Sequence, residues 1–253
     1  MFKGLYHGKN CHVPDIATVL NRAWSAGVDR IIVTGGSLEE SREALAIAET
    51  DGRLFCTVGV HPTRCNEFEE SGDPEKHYQD LFSLAKEGMQ KGKIMIGFSS
   101  ALLIYRRSVN GGSLKTAENL DVMKGIPVER MMIETDSPYC DIKNTHAGMK
   151  FVKSTWPSKK KEKYDQESLV KGRNEPCLVR QVLEVVAGYK GLGDISQVSS
   201  TLYHNTCRHV LSISVSHDLV TENEELFLCK WVFFPQDLDA AADAILSGNN
   251  ETD

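Results

Sequence analysis

The sequence contains no C-x-x-C pair, although it has seven cysteines, Cys11, Cys56, Cys65, Cys140, Cys177, Cys207 and Cys229. An odd count at wide spacing excludes a zinc ribbon and argues against a disulfide framework; it suits reduced thiols. No apolar run is long enough to span a bilayer, so no membrane partner is expected. The opening residues Met1–Gly8 lack the apolar stretch of a signal peptide, and the expected setting is the cytoplasm or nucleus. There is no internal repeat and no glycine-rich loop that would cradle a nucleotide. A surplus of basic charge is also missing, since the net charge is −6. A dedicated non-specific nucleic-acid binder is usually basic, so any polyanionic partner must be held by a local basic patch or by metal ions.

What the chain does have is apolar residues, 41% of 253, enough for a core. They fall into a rhythm. Pro14-Asp15 opens a helix with Ile16, Val19, Leu20, Ala23 and Trp24 at helical spacing, ended by Gly27. Ile31 to Gly35 is a buried strand. Ser37 followed by Glu40 is a capping-box signature for a helix that runs to Gly52. Leu54 to Val60 is a strand ending at His61-Pro62, and Pro74 begins a helix with Tyr78, Leu81, Phe82 and Ala85 on one face. Ile94 to Gly97 is a short strand. Alternation at this spacing implies parallel strands with right-handed crossovers, in a doubly wound sheet or a (β/α) barrel. Between Phe98 and Gly112 the rhythm fails, with a remnant strand at Ile104; Leu114 to Lys124 is again helical. Helices follow Arg173-Asn174-Glu175-Pro176 and Asp194.

Met131-Met132-Ile133 is a short apolar run that rises into Glu134-Thr135-Asp136 and breaks at Ser137-Pro138. It predicts a buried strand that delivers Asp136 to its C-terminal tip, where ligands sit in α/β sheets and barrels. A carboxylate there suits a hard divalent cation or general-base work. An Asp before Ser-Pro is also a common turn former. Lys159-Lys160-Lys161-Glu162-Lys163, with Arg173 nearby, is the candidate phosphate patch; the plainer reading is a solvated loop.

Several motifs together resemble the TatD family of metal-dependent deoxyribonucleases, in its eukaryotic branch. They are Thr34-Gly35-Gly36, Gly59-Val60-His61-Pro62-Thr63-Arg64, Ile133 to Tyr139, Thr145-His146-Ala147-Gly148, Trp156 to Lys161, and Arg173 to Cys177. The resemblance implies a (β/α)₈ TIM barrel of the metal-dependent hydrolase type, with its site at the C-terminal ends of the strands. It implies hydrolysis of DNA phosphodiesters with divalent ions, Mg²⁺ first and Mn²⁺ or Zn²⁺ as alternatives. Asp136 would be a metal ligand and, with His61, catalytic. Lys159, Lys160, Lys161 and Arg173 would meet DNA, although Arg173 and Glu175 equally fit a structural link at the rim.

The chain also departs from the family pattern. Its start follows the family's first metal-binding strand. Phe98-Ser99-Ser100 stands where the family places a ligand Glu, and two histidine-bearing strands have no counterpart. His209–Trp231 interrupts a family segment and resembles nothing in it. The expected organisation is a partial hydrolase domain over 1–208, with a deletion junction near 98–110, an unrelated insertion over 209–231, and a family-like end with an acidic tail over 232–253. Such a pattern suits an alternative or mispredicted transcript product. The barrel would be incomplete, with several strands missing and open edges. Three readings follow: a DNA-cleaving hydrolase impaired by its losses, an inactive remnant with at most a binding role, or a different amidohydrolase-type barrel acting on a small molecule.

Overall fold

The computed structural model describes residues 1–94, 107–207 and 227–232, the last segment and Arg107 by backbone alone. A small antiparallel pair, β1 (Leu5–Tyr6) and β2 (Lys9–Asn10), precedes helix α1 (Ile16–Ser25). Ile16, Val19, Leu20 and Ala23 bury the inner stripe of α1, the i, i+3, i+4, i+7 pattern of an amphipathic helix. Strand β3 (Val28–Thr34) follows, with Ile31, Ile32 and Val33 all buried. Consecutive buried residues mean that both faces of the strand are covered, as in a parallel sheet between helices. Helix α2 (Leu38–Glu49) is capped as the sequence predicts: the Ser37 hydroxyl accepts from the Glu40 N–H at 3.1 Å. The Glu40 carboxylate reaches one residue further back than a capping box requires, to the Gly36 N–H at 2.9 Å.

Strand β4 (Leu54–Thr57) pairs in parallel with β3, Ile31 opposite Leu54 and Thr34 opposite Thr57. It stops before the predicted Val60. After a short helix α3 (Glu67–Glu70) comes the long α4 (Pro74–Gln90), whose buried residues are Leu81, Leu84 and Gly88. This corrects the predicted face, because Tyr78 and Phe82 are exposed and stack on each other with ring centroids 6.2 Å apart. The reason is Gly88, where any Cβ would overlap the side chain of Ile94. The helix turns that bare spot inward and swings its aromatic pair to the surface. Ile94 makes a parallel bridge with Cys56, where the sequence predicts a strand; residues 95–97 and the remnant at Ile104 lie outside the described residues.

The failing stretch contains a strand the sequence reading misses, β5 (Arg107–Val109). After it, Thr116 caps helix α5 (Ala117–Lys124), and β6 (Met131–Ile133) pairs in parallel with β5. The loop after β6 includes a parallel pair, β7 (Ser158–Lys159) and β8 (Leu169–Val170). Two helices complete this part, α6 (Val179–Lys190) and α7 (Ile195–Thr206), the second capped by Asp194. Finally β9 (Phe227–Val232) lies parallel to β3, on the side away from β4. One strand therefore runs across the sequence boundary drawn at 231/232, and residues of the expected insertion join the main sheet. The core joins α1, β3, α2, β4, β6, α6 and α7 in one cluster. Among the described residues the strands do not close into a ring.

Candidate active site

Strand β6 is anchored by the Asn205 side-chain amide, which donates to the carbonyls of Val128 and Met131 at 2.8 and 2.9 Å. Beyond the strand, Glu134 and Thr135 are buried and Asp136 reaches partial exposure at the tip, as the sequence predicts. The Asn110 amide donates to Asp136 Oδ2 at 2.6 Å. Asn110 is itself fixed, since its Oδ1 accepts from the Ser113 N–H at 2.9 Å. Gly111 is needed next to it, because any Cβ there would overlap the Cys140 carbonyl. On the other side, the Tyr139 N–H donates to the Asp136 carbonyl at 2.7 Å. Asn174 closes the turn: its N–H donates to the Pro138 carbonyl at 3.0 Å and its side chain to the Tyr139 carbonyl at 2.7 Å. The Cys140 thiol is pushed up in pKa by burial first and then by the neighbouring Asp136 carboxylate.

His61 stands at the end of the β4 segment, and its N–H donates to the Gly36 carbonyl at 2.9 Å. The Thr63 N–H donates to His61 Nδ1 at 3.2 Å. A backbone N–H cannot accept, so Nδ1 is the acceptor and the neutral ring carries its proton on Nε2. The exposed ring therefore presents an N–H donor. Glu40 stabilises this corner. It binds Gly36 from one oxygen and Arg64 from the other at 2.5 Å, and burial still pushes its pKa above the usual carboxylate range.

The basic candidates separate. Arg173 is 2% exposed, and its guanidinium donates to both Asp15 oxygens at 2.8 and 2.6 Å and to Glu175 at 2.8 Å. Arg22 donates to the same Glu175 at 2.9 and 3.1 Å. The expectation that Arg173 binds DNA is therefore corrected: its charge is spent on tying α1 to the segment after β8, out of reach of solvent. Lys159 and Lys160 are exposed, as a phosphate patch needs, whereas Lys161 is half-buried. Lys159 is paired with Asp165, Lys161 Nζ sits 4.8 Å from the Tyr6 ring centroid, and Lys160 has no ion-pair partner among the described residues.

Asp136 and His61 both lie at C-terminal strand ends, but the hydrogen bonds of His61 stay within the loops after β3 and β4. Among the described residues no three His, Cys, Asp or Glu side chains converge as a metal-binding group. With one Asp136 oxygen bonded to Asn110 and one His61 nitrogen to Thr63, the described donor set does not fit a complete divalent-cation site. Sequence reasoning missed Asn110, Glu40 and Arg64. The signal for Asn110 was present in Asn110-Gly111-Gly112, which reads only as a turn until Asp136 is placed beside it.

The profile of the "TatD related DNase" family matches residues 7–98 and 82–210. A relative from Schizosaccharomyces pombe, "Deoxyribonuclease Tat-D", is 29% identical over 283 aligned positions that take in 81% of this chain and 90% of that protein. A "3'-5' ssDNA/RNA exonuclease TatD" from Enterobacter lignolyticus is 42% identical over 59 positions, 22% of this chain and 23% of that one. The crystal structure of a TatD-family hydrolase from Entamoeba histolytica superposes with a TM-score of 0.67 at 26% identity, over 83% of this chain and 93% of the other. Its likeness supports a TIM-barrel-like hydrolase fold. The chain belongs to the TatD-related DNase family.

Proposed function

We propose that the chain is a hydrolase of DNA phosphodiester bonds whose rim has lost part of the family's metal-binding equipment. The observation that carries this is Asp136, raised by β6 to the C-terminal face and oriented there by Asn110, in a chain that matches the family across 7–98 and 82–210. In that position the carboxylate can take a proton from water, and the His61 Nε2–H can donate to a phosphate oxygen. Lys160 with its neighbours would hold the backbone. A divalent cation of the family's kind would be held at Asp136 and would supply charge neutralisation and water activation, but the described donors alone do not complete its site. Mg²⁺ is the first choice and Mn²⁺ or Zn²⁺ the alternatives.

The incomplete-barrel reading is supported by the alignment with the S. pombe relative, which runs over more positions than this chain contributes. It is also supported by the absence of a closed ring among the described strands. The second reading, a non-catalytic DNA-binding remnant, is favoured by one observation, that no three ligand side chains converge among the described residues. A cleavage assay on single-stranded DNA with Mg²⁺, Mn²⁺ or Zn²⁺, and with a chelator as control, separates the two. Chelator-sensitive cleavage supports the hydrolase. Metal-independent binding with no cleavage under any cation supports the remnant.

A further inference from the structure

The loop from β6 to α6 carries Asp136 near its start and, with Gln181 of α6, lines an open cavity of about 560 Å³. As a connection from strand end to helix it belongs to the face where barrel active sites are built. The cavity is lined by Met149, Leu169, Val170 and Leu178, with Trp156 as its one aromatic residue and Lys143 and Lys171 among its polar residues. Both lysines are exposed, and neither has an ion-pair partner among the described residues. Asp141 is the only acid in the lining, and the third basic residue, Arg173, keeps its charge on Asp15 and Glu175. The entrance is thus net basic over an apolar floor.

The aromatic wall is held firmly. Glu184 of α6 accepts from the N–H groups of Lys153 and Ser154 at 2.7 and 3.0 Å and from the Ser154 hydroxyl at 2.5 Å. Gln181 donates to the Ser154 carbonyl at 2.9 Å. Just past Trp156, the Pro157 carbonyl accepts from the Leu169 N–H and the Lys159 carbonyl from the Lys171 N–H, each at 2.8 Å. The β7–β8 pairing therefore fixes Trp156 and Lys171 on adjoining segments.

We infer that this cavity is a nucleotide subsite, in which one unpaired base of a nucleic-acid strand stacks on Trp156 while Lys143 and Lys171 hold the flanking phosphates. An apolar pocket of this size with a few placed polar groups accommodates a small planar ligand. An aromatic ring beside unpaired lysines is the combination that binds single strands without reading sequence. A base paired in a duplex cannot enter. The inference rests on the proposed function only for the choice of nucleic acid as the ligand.

The test is binding of a short fluorescent oligothymidylate in EDTA, followed by anisotropy at several salt concentrations. Wild-type protein should bind, Trp156→Ala should weaken binding by about tenfold or more, and Trp156→Phe should keep most of it. Lys143→Ala/Lys171→Ala should flatten the salt slope by about 1.4, the share of two single-strand phosphates. An abasic strand of equal charge should bind wild type as weakly as the intact strand binds Trp156→Ala. No binding by wild type, or equal binding of intact and abasic strands, overturns the subsite. Cleavage that depends on Asp136 but is indifferent to Trp156 overturns the subsite and leaves the hydrolase reading standing. Base-dependent binding by a protein that cleaves nothing does the reverse.

Discussion

Arg173 and the Lys159–Lys161 run lie close together in the loop after β6, and both read from sequence as groups for DNA. The structure gives them opposite fates. Arg173 is sealed among Asp15, Glu175 and Arg22, with the Phe2 ring 4.8 Å from its guanidinium carbon. Lys159 and Lys160 stay in water, Lys161 is half-buried beside Tyr6, and Lys159 pairs only with Asp165 at the surface. The difference shows that local basic charge says little about binding until the acids from distant sequence are placed. Asp15 is separated from Arg173 by 158 positions, and it is Asp15 that decides the role of the arginine. Arginine also suits the buried place, because its planar fork meets both Asp15 oxygens while still reaching Glu175, a bidentate fit that the single nitrogen of a lysine does not match.

Four perturbations test that contrast. Arg173→Met should have the largest effect, a loss of about 3–5 kcal/mol in chemical denaturation, because it takes the bidentate partner from the buried Asp15 and leaves Glu175 to Arg22 alone. A loss below about 1 kcal/mol would mean that the network is dispensable. Next comes Glu184→Gln, expected to cost about 1.5–3 kcal/mol at neutral pH through weakened charge-assisted bonds. Burial alone would raise the Glu184 pKa, but bonds from Ser154, the Lys153 N–H and Arg180 outweigh it and the net shift is downward. A depressed folded pKa contributes stability above the ordinary carboxylate range and loses it as pH falls through the folded value. Unfolding followed against pH should therefore show a shallower acid limb in Glu184→Gln.

A smaller effect on stability is expected from replacing Lys159, Lys160 and Lys161 together with Ala, within about 0.5 kcal/mol. The same variant should lower the salt slope of single-strand binding by about 0.7 for each phosphate these lysines neutralise. Unchanged binding at every salt concentration would return the run to a plain solvated loop. Last, and informative about the rim rather than the scaffold, is Asn110→Ala, which removes a cap and should cost about 1 kcal/mol. It should leave the fold intact while reducing kcat more than it alters KM, since Asn110 acts through its bond to the Asp136 carboxylate.

Much of the scaffold was legible. The stripe of α1, the Ser37 cap and the doubly covered β3 follow from local periodicity and turn chemistry, which need no tertiary knowledge. Asp136 at a strand tip was legible for the same reason. What was hidden depends on neighbours. Strand β5 is three residues long and begins at a charged residue, so only its pairing with β6 identifies it. The inward face of α4 is set by the approach of Ile94 to Gly88, not by the helix's own apolar count. Phe227–Val232 has a strand-like composition, but nothing local says that it will lie beside β3. At the rim, His61 and Asp136 were both marked, whereas the groups that hold them, Asn110 on one side and Glu40 with Arg64 on the other, come from separate loops.

The most direct test is cleavage of a labelled single-stranded oligonucleotide with Mg²⁺ by wild type and Asp136→Ala, purified side by side and matched by circular dichroism. The account predicts that wild type cleaves and that the variant falls by about two orders of magnitude or more, the scale of losing a positioned acid–base group. Equal cleavage by the two proteins would contradict it, because the activity would then arise somewhere other than the tip of β6.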